Sequence, residues 1–177
     1  MATLSTSLSP AVAGNETVRN GVPGALLTLL THRDQCELLR AKPELTDSAV
    51  EEALRFWPPV VHIRRTATRD VELGGRSIHR GEKVVVYHAA ANRDETVFPE
   101  PDRFDITRSP NDHVSFGYGP HFCLGAQLAR LQMRFALRHL VDSLPGLALD
   151  PDRPPQRLIS NFQNGLKSLP VRWEPKR

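Results

Sequence analysis

Phe116-Gly117-Tyr118-Gly119-Pro120-His121-Phe122-Cys123-Leu124-Gly125 sets three glycines around one cysteine at the entrance of the clearest amphipathic helix in the chain. Beyond it Leu124, Leu128, Leu131 and Phe135 recur at i, i+4, i+7 and i+11, with Arg130, Arg134 and Arg138 on another face, until Pro145-Gly146 stops the helix. The apolar stripe reads as core and the arginines as a second, solvated face. A cysteine at a helix start meets amides that favour an anion, which biases Cys123 toward thiolate. A bare helix-start cysteine is otherwise a small hydrophobe. Gly117, Gly119 and Gly125 shift that balance, because they let a large flat group approach the backbone and let amides point at the sulfur.

Composition narrows the alternatives. With 177 residues, 40% hydrophobic and 24% charged, the chain is neither disordered nor collagen-like nor a coiled coil. Its two cysteines, Cys36 and Cys123, build no disulfide framework and no four-thiolate zinc site. No apolar run approaches the length of a bilayer span. The opening MATLSTSLSP has no basic start and no continuous apolar core, so the expected compartment is the cytoplasm. A net charge of +3, spread as arginine along the chain without a basic-aromatic motif, gives little support to nucleic-acid binding.

The first third reads as helices. Ser9 with Pro10 has the form of an N-cap and first helical position. Gly21, Pro23 and Gly24 predict a break or kink before Ala25. A short helix over Arg33 to Ala41 stops at Lys42 and Pro43. Ser48 with Glu51 has the capping-box spacing and leads a helix to Trp57, which must end at Pro58-Pro59. Short β-type runs follow at Val60 to Ile63, Val71 to Leu73, Ser77 to Ile78 and Lys83 to Tyr87, separated by Gly74-Gly75 and Arg80-Gly81, as in a small antiparallel sheet. After a helical piece at His88 to Asn92, the stretch from Glu95 to Ser115 is long and irregular, which implies that something specific clamps it. The tail reads as strands, with a turn at Asn164-Gly165 and a last strand over Leu169 to Trp173.

FGYGPHFCLG resembles the cysteine-ligand loop of the cytochrome P-450 monooxygenases, with its phenylalanine, two glycines, basic residue, ligand cysteine and further glycine at these spacings. The resemblance implies a mainly α fold with small antiparallel β-sheets (α+β), the C-terminal part of the cytochrome P-450 fold. It implies that Cys123 is the axial thiolate on the iron of haem b, that Phe116 packs beside the loop, that Gly117 and Gly125 shape it, and that His121 donates to a haem propionate. A thiolate ligand pushes electron density onto iron and favours O–O cleavage. Other motifs follow in the family's order. Glu52-Ala53-Leu54-Arg55 matches its ExxR element, where i,i+3 spacing sets up a bidentate ion pair. Arg103 in Pro101-Asp102-Arg103-Phe104 fits the third, basic member of that triad. Arg65 falls where the family binds a propionate, the other reading being a solvated strand arginine. Val60, Val61 and Phe162 resemble substrate-facing positions, although core packing explains them equally well. Ala13-Gly14-Asn15-Glu16-Thr17 looks like the distal-helix element. There the small pair, Ala13 and Gly14, opens a groove over the iron, and Glu16 and Thr17 deliver protons to dioxygen. The other reading of that turn is an exposed polar stretch of helix.

The likeness covers residues from about Val12 to the C-terminus, which gives a polar, non-family start over 1–11 and a partial haem-thiolate monooxygenase domain over 12–177. A full domain of the family is well over double this length, so the expectation is a truncated one. The layer before the distal helix normally supplies most of the substrate pocket, and its absence predicts exposed apolar helix faces and self-association. The family implies O2, reducing equivalents from NAD(P)H, a ferredoxin-type electron donor with its reductase docking on the arginine-bearing side, and a small apolar substrate. AGNET, HFCLGAQLAR and SNFQNGLKSLPVRW are similar to bacterial members that oxidise sterol side chains, branched lipids or terpenoids. The alternative is a haem-binding or interaction module without turnover of its own.

Overall fold

The computed structural model describes residues 3–174, and their side chains from Ala13 onward. Helix α1 (Thr3–Thr31) runs through Pro10, Gly21, Pro23 and Gly24 without interruption. Its backbone is already helical before Ser9, whose capping side chain lies outside the described residues. The break expected at Gly21–Gly24 does not occur, because these glycines serve packing. A Cβ on Gly24 would lie 2.2 Å from the Trp57 ring, and one on Gly21 would crowd Pro59 at 3.3 Å. Pro23 withholds one helix bond, a cost the close packing on either side offsets.

Helix α2 (Arg33–Ala41) has the expected bounds. Pro43 then opens a 3-10 turn over Pro43–Leu45, and this draws the start of α3 (Thr46–Phe56) ahead of Ser48. The capping box therefore does not form. Ser48 Oγ donates to the Leu45 carbonyl at 3.0 Å, and Glu51 turns to other partners described below. Helix α3 ends at Phe56, where Pro58-Pro59 can supply no amide.

Two nested antiparallel ladders replace the one small sheet expected. β1 (His62–Thr66) pairs with β4 (Lys83–Tyr87), His62 opposite Tyr87, while β2 (Val71–Leu73) and β3 (Arg76–Ile78) form a separate hairpin across Gly74-Gly75. Both glycines have positive φ, 58° and 73°, which the turn requires. Val60, expected inside the first strand, instead makes a lone bridge to Gln163. The short helix α4 (His88–Ala91) precedes the long irregular segment, which is irregular as expected, and α5 (Ala126–Ser143) follows the cysteine loop. The tail forms two small ladders, β5 (Ala148–Leu149) with β8 (Val171–Arg172), and β6 (Gln156–Arg157) with β7 (Leu166–Ser168).

One core joins Leu26, Leu29 and Leu30 of α1, Cys36 and Leu39 of α2, Val50 and Leu54 of α3, Phe104 and Ile106 of the irregular segment, and Met133, Leu137 and Val141 of α5. Cys36 is thus a small core hydrophobe. The faces of α5 are the reverse of those expected. Leu124, Leu128, Leu131 and Phe135 are 95, 59, 46 and 69% exposed, because none of the described elements lies over them. The arginines face inward instead. Arg130 pairs with Glu51 and Arg134 with Asp47, both on α3, while Arg138 donates to the Leu39 carbonyl and pairs with Asp142.

Candidate functional site

The cysteine loop hangs from α3 by a series of polar ties. Arg55 Nε and Nη2 donate to the two oxygens of Glu52, each at 2.8 Å, and both side chains are wholly buried. The remaining Arg55 donors reach the carbonyls of Asn92, Pro101 and Arg103. Five N–H groups thus find five acceptors, the condition under which a buried guanidinium is tolerated.

The basic residue that joins Glu52 and Arg55 as the third member is Arg108, not Arg103. Arg108 Nε lies 3.3 Å from the carboxylate, and its Nη groups bond the carbonyls of Pro99, Glu100 and Arg103. Arg103 gives the cluster only its own carbonyl and points its side chain outward to Glu100 and Asp105. The Asp105 amide and Asn111 Nδ2 complete the acceptor capacity of Glu52 at 3.0 Å each. These bonds are the clamp on the irregular segment, while Phe98, Phe104 and Ile106 bury its apolar side chains.

A second set of ties leads toward the cysteine. Buried Asn92 donates to the Arg55 carbonyl and to Ser115 Oγ and accepts the Val114 amide, while Ser115 Oγ donates to the Leu54 carbonyl. Glu51 accepts two bonds from Arg130, at 2.7 and 2.8 Å, and lies 3.1 Å from His113 Nε2. Burial would raise the Glu51 carboxyl, but the bonds from His113 and Arg130 outweigh it and hold it down at about 2. Arg130 in turn stacks 4.6 Å over the Phe116 ring. The Glu51 bonds keep Arg130 above its ordinary range, with a smaller attraction from Cys123.

From Phe116 the loop turns twice through glycine, Gly117 and Gly119 both at φ 73°, and the Cys123 amide closes it by donating to the Phe116 carbonyl at 2.9 Å. The turn over Leu124-Gly125 then starts α5, and the Ala126 amide donates to the Cys123 carbonyl. Cys123 and His121 are exposed. A Cβ on Gly119 or Gly125 would meet nothing within 4 Å, so the loop is open at a glycine on each side of the cysteine in the chain. An exposed soft donor next to an open glycine face suits a large planar metal complex that takes one axial thiolate.

The other expected site residues fall into three places. Val60, Val61 and Phe162 come together by backbone pairing: the Val61 amide donates to the Phe162 carbonyl at 2.8 Å, and Val60 bridges Gln163. Buried His88 backs this pair through Nδ1, 3.0 Å from the Val60 carbonyl, and burial pushes its imidazole down, toward the neutral form. Arg65 lies exposed on β1 and donates to the Arg64 carbonyl. On α1, Ala13 and Gly14 are exposed, Glu16 approaches Arg19 at 3.9 Å, and Thr17 Oγ1 donates to the Ala13 carbonyl at 2.7 Å. Among the described residues no hydrogen bond or ion pair joins this turn of α1 to the cysteine loop.

Comparison with known proteins bears on the family and the fold. The family model described as cytochrome P450, here written cytochrome P-450, matches residues 26–173. The chain belongs to the cytochrome P-450 family. Its relatives include linalool 8-monooxygenase of Pseudomonas putida, 45% identical over 93% of this chain and 40% of that protein. Steroid C26-monooxygenase of Mycolicibacterium smegmatis is 43% identical over 93% of this chain and 41% of that protein. The structure of CYP109E1 from Bacillus megaterium in complex with testosterone superposes with a TM-score of 0.94 at 37% identity, covering 97% of this chain and 48% of that one. The chain thus spans about two fifths of the length of the curated relatives it matches. The fold is the expected one, a helix-rich part of the cytochrome P-450 fold with small antiparallel ladders. No described helix is long and apolar enough to cross a membrane.

Sequence reading missed Arg108, Asn111, Asn92 and the set Glu51, His113 and Arg130. In the sequence alone Glu51 has the spacing of a helix cap and Arg130 lies on the polar face of an amphipathic helix, and neither pattern points to a partner on another element.

Proposed function

We propose that this chain is the haem-holding portion of a monooxygenase that inserts one oxygen atom of O2 into a small apolar substrate, with Cys123 as the axial thiolate of haem b. The observation that carries this reading is the exposed Cys123 sulfur, on a loop closed at Phe116 and flanked by open glycine positions. Haem bound through a thiolate supplies O–O cleavage, with electrons from NAD(P)H delivered by a ferredoxin-type donor and its reductase.

The chain's own residues orient that group and handle protons. Phe116, Gly117 and Gly125 shape the loop, and His121 and Arg65 are exposed donors for its propionates. Val60, Val61 and Phe162 present one apolar wall to the substrate. Ala13 and Gly14 leave room on α1, and Thr17, already drawn to the Ala13 carbonyl, holds its hydroxyl beside that small pair. Glu16, on the same turn and 43% exposed at its side chain, relays protons from solvent. The relatives named for linalool and for steroid C26 favour a terpenoid, branched-lipid or sterol substrate. Arg130, Arg134 and Arg138 are engaged with α2, α3 and Asp142 rather than offered to the electron donor.

The test is optical. Supplied with haem, reduced and exposed to carbon monoxide, the chain is expected to show the red-shifted Soret band of thiolate ligation, and Cys123→Ser to lose it. A band that is absent in the wild type, or that survives the substitution, overturns the assignment. The exposed stripe on α5 favours a second reading, in which this chain alone binds haem without turnover and associates through that stripe. A thiolate band without NAD(P)H-dependent substrate oxidation, in the presence of ferredoxin and reductase, selects it.

A further inference from the structure

The cysteine loop is exposed over residues 118–125, yet one carboxylate reaches it through two partners. Glu51 binds Arg130 with both oxygens and His113 with one. Arg130 lies 4.6 Å over the Phe116 ring, and the His113 ring, nearly buried, stands 6.0 Å from the same phenylalanine. His113 Nδ1 also accepts the Ser115 amide at 3.3 Å, which fixes the residue just before Phe116. Phe116 then accepts the Cys123 amide. The neighbouring tie between the same two helices, Arg134 to Asp47 at 2.8 Å, is more exposed.

We propose that Glu51 is a positioning residue for Cys123: through Arg130 and His113 it grips Phe116, and the Phe116 carbonyl fixes the cysteine amide and so the direction of the sulfur. Glu51 does not contact the sulfur. Its effect on iron ligation rests on the reading of Cys123 as the ligand, whereas its effect on the loop does not.

The experiment separates the two. Amide hydrogen exchange is measured on the full chain for wild type, Glu51→Gln, Arg130→Lys and Arg134→Gln, the last as control. Glu51→Gln is expected to speed exchange at Cys123 and its loop neighbours about tenfold, with the change concentrated in residues 113–125. Arg130→Lys keeps the charge but loses the fork and the flat stacking face, so a smaller acceleration in the same residues is expected. It also keeps the test alive if Glu51→Gln fails to fold. Arg134→Gln is expected to leave the loop within about twofold of wild type. An unchanged loop in Glu51→Gln and Arg130→Lys overturns the proposal, as does an acceleration spread evenly over α3 and α5 or matched by Arg134→Gln. With haem and carbon monoxide, the thiolate share of the Soret absorption is expected to fall in the order wild type, Arg130→Lys, Glu51→Gln. If the wild type shows no thiolate band, the ligand assignment fails while the exchange result still decides the role of Glu51.

Discussion

Helices α3 and α5 pack against each other and sort their side chains in opposite senses. In α3 a glutamate and an arginine, Glu52 and Arg55, are completely buried; in α5 Leu128 and Phe135 are 59% and 69% exposed. Hydropathy would reverse both. What decides is whether partners are available: every donor of Arg55 finds an acceptor, whereas no described element lies over the leucines of α5. A charge goes inside when its hydrogen bonds are complete, and an apolar side chain stays outside when nothing covers it.

The largest expected effect tests the buried half of that contrast. Arg55→Met leaves Glu52 buried without its bidentate partner and frees the carbonyls of Asn92, Pro101 and Arg103. The expected loss is about 3–5 kcal/mol, read from urea unfolding. Replacing both partners, Glu52→Gln with Arg55→Met, should cost less than the single change, because the buried carboxylate that would keep only Arg108 as a charged partner is removed as well. A single variant that unfolds at the wild-type midpoint would show that the hub does not hold the irregular segment, and the contrast would collapse.

Glu51, at the seam of the two helices, should have a smaller effect with a pH signature. Its carboxyl is held at about 2 in the folded chain against an ordinary 4.5, so its stabilisation is fully present above about pH 4.5 and fades as pH falls toward 2. After allowance for the solvent that reaches this half-buried pair, the shift corresponds to about 1–2 kcal/mol. Glu51→Gln is expected to lower the urea midpoint at pH 6 and to flatten its decline through that acid window. A variant with the wild-type slope between pH 5 and pH 3 would place the acid sensitivity elsewhere.

These residues also mark how far the sequence could be read. The short helix at Arg33–Ala41, the strand at Lys83–Tyr87 and the irregular stretch were visible, because proline, glycine and a change of period bound them locally. The Glu52–Arg55 pair was legible only through its likeness to the family's ExxR element, since i,i+3 spacing alone fits a surface salt bridge equally well. Arg108 was not, since its partner Glu52 lies 56 residues away and the nearer Arg103 fits the same pattern. The glycines of α1 looked like breaks because nothing local to them predicts that Trp57 must pass so close to Gly24. The faces of α5 were inverted because periodicity shows that a stripe exists without showing what stands opposite it.

That last point can be sharpened by the smallest expected effect. Leu128→Gln with Phe135→Gln, on the exposed face, should change unfolding stability by no more than about 0.5 kcal/mol, since little apolar area leaves the interior. Truncating Leu137 to alanine on the opposite face should cost about 2–5 kcal/mol, because that side chain is wholly buried. The same double substitution should shift sedimentation of the chain toward monomer if the stripe drives self-association. Loss of stability on the scale of Leu137→Ala would mean that the face is covered in solution, and the exposed half of the contrast would then describe an interface. Neutral stability with unchanged sedimentation would mean that the leucines meet only water, leaving the opposite sorting of α3 and α5 as a property of the isolated chain.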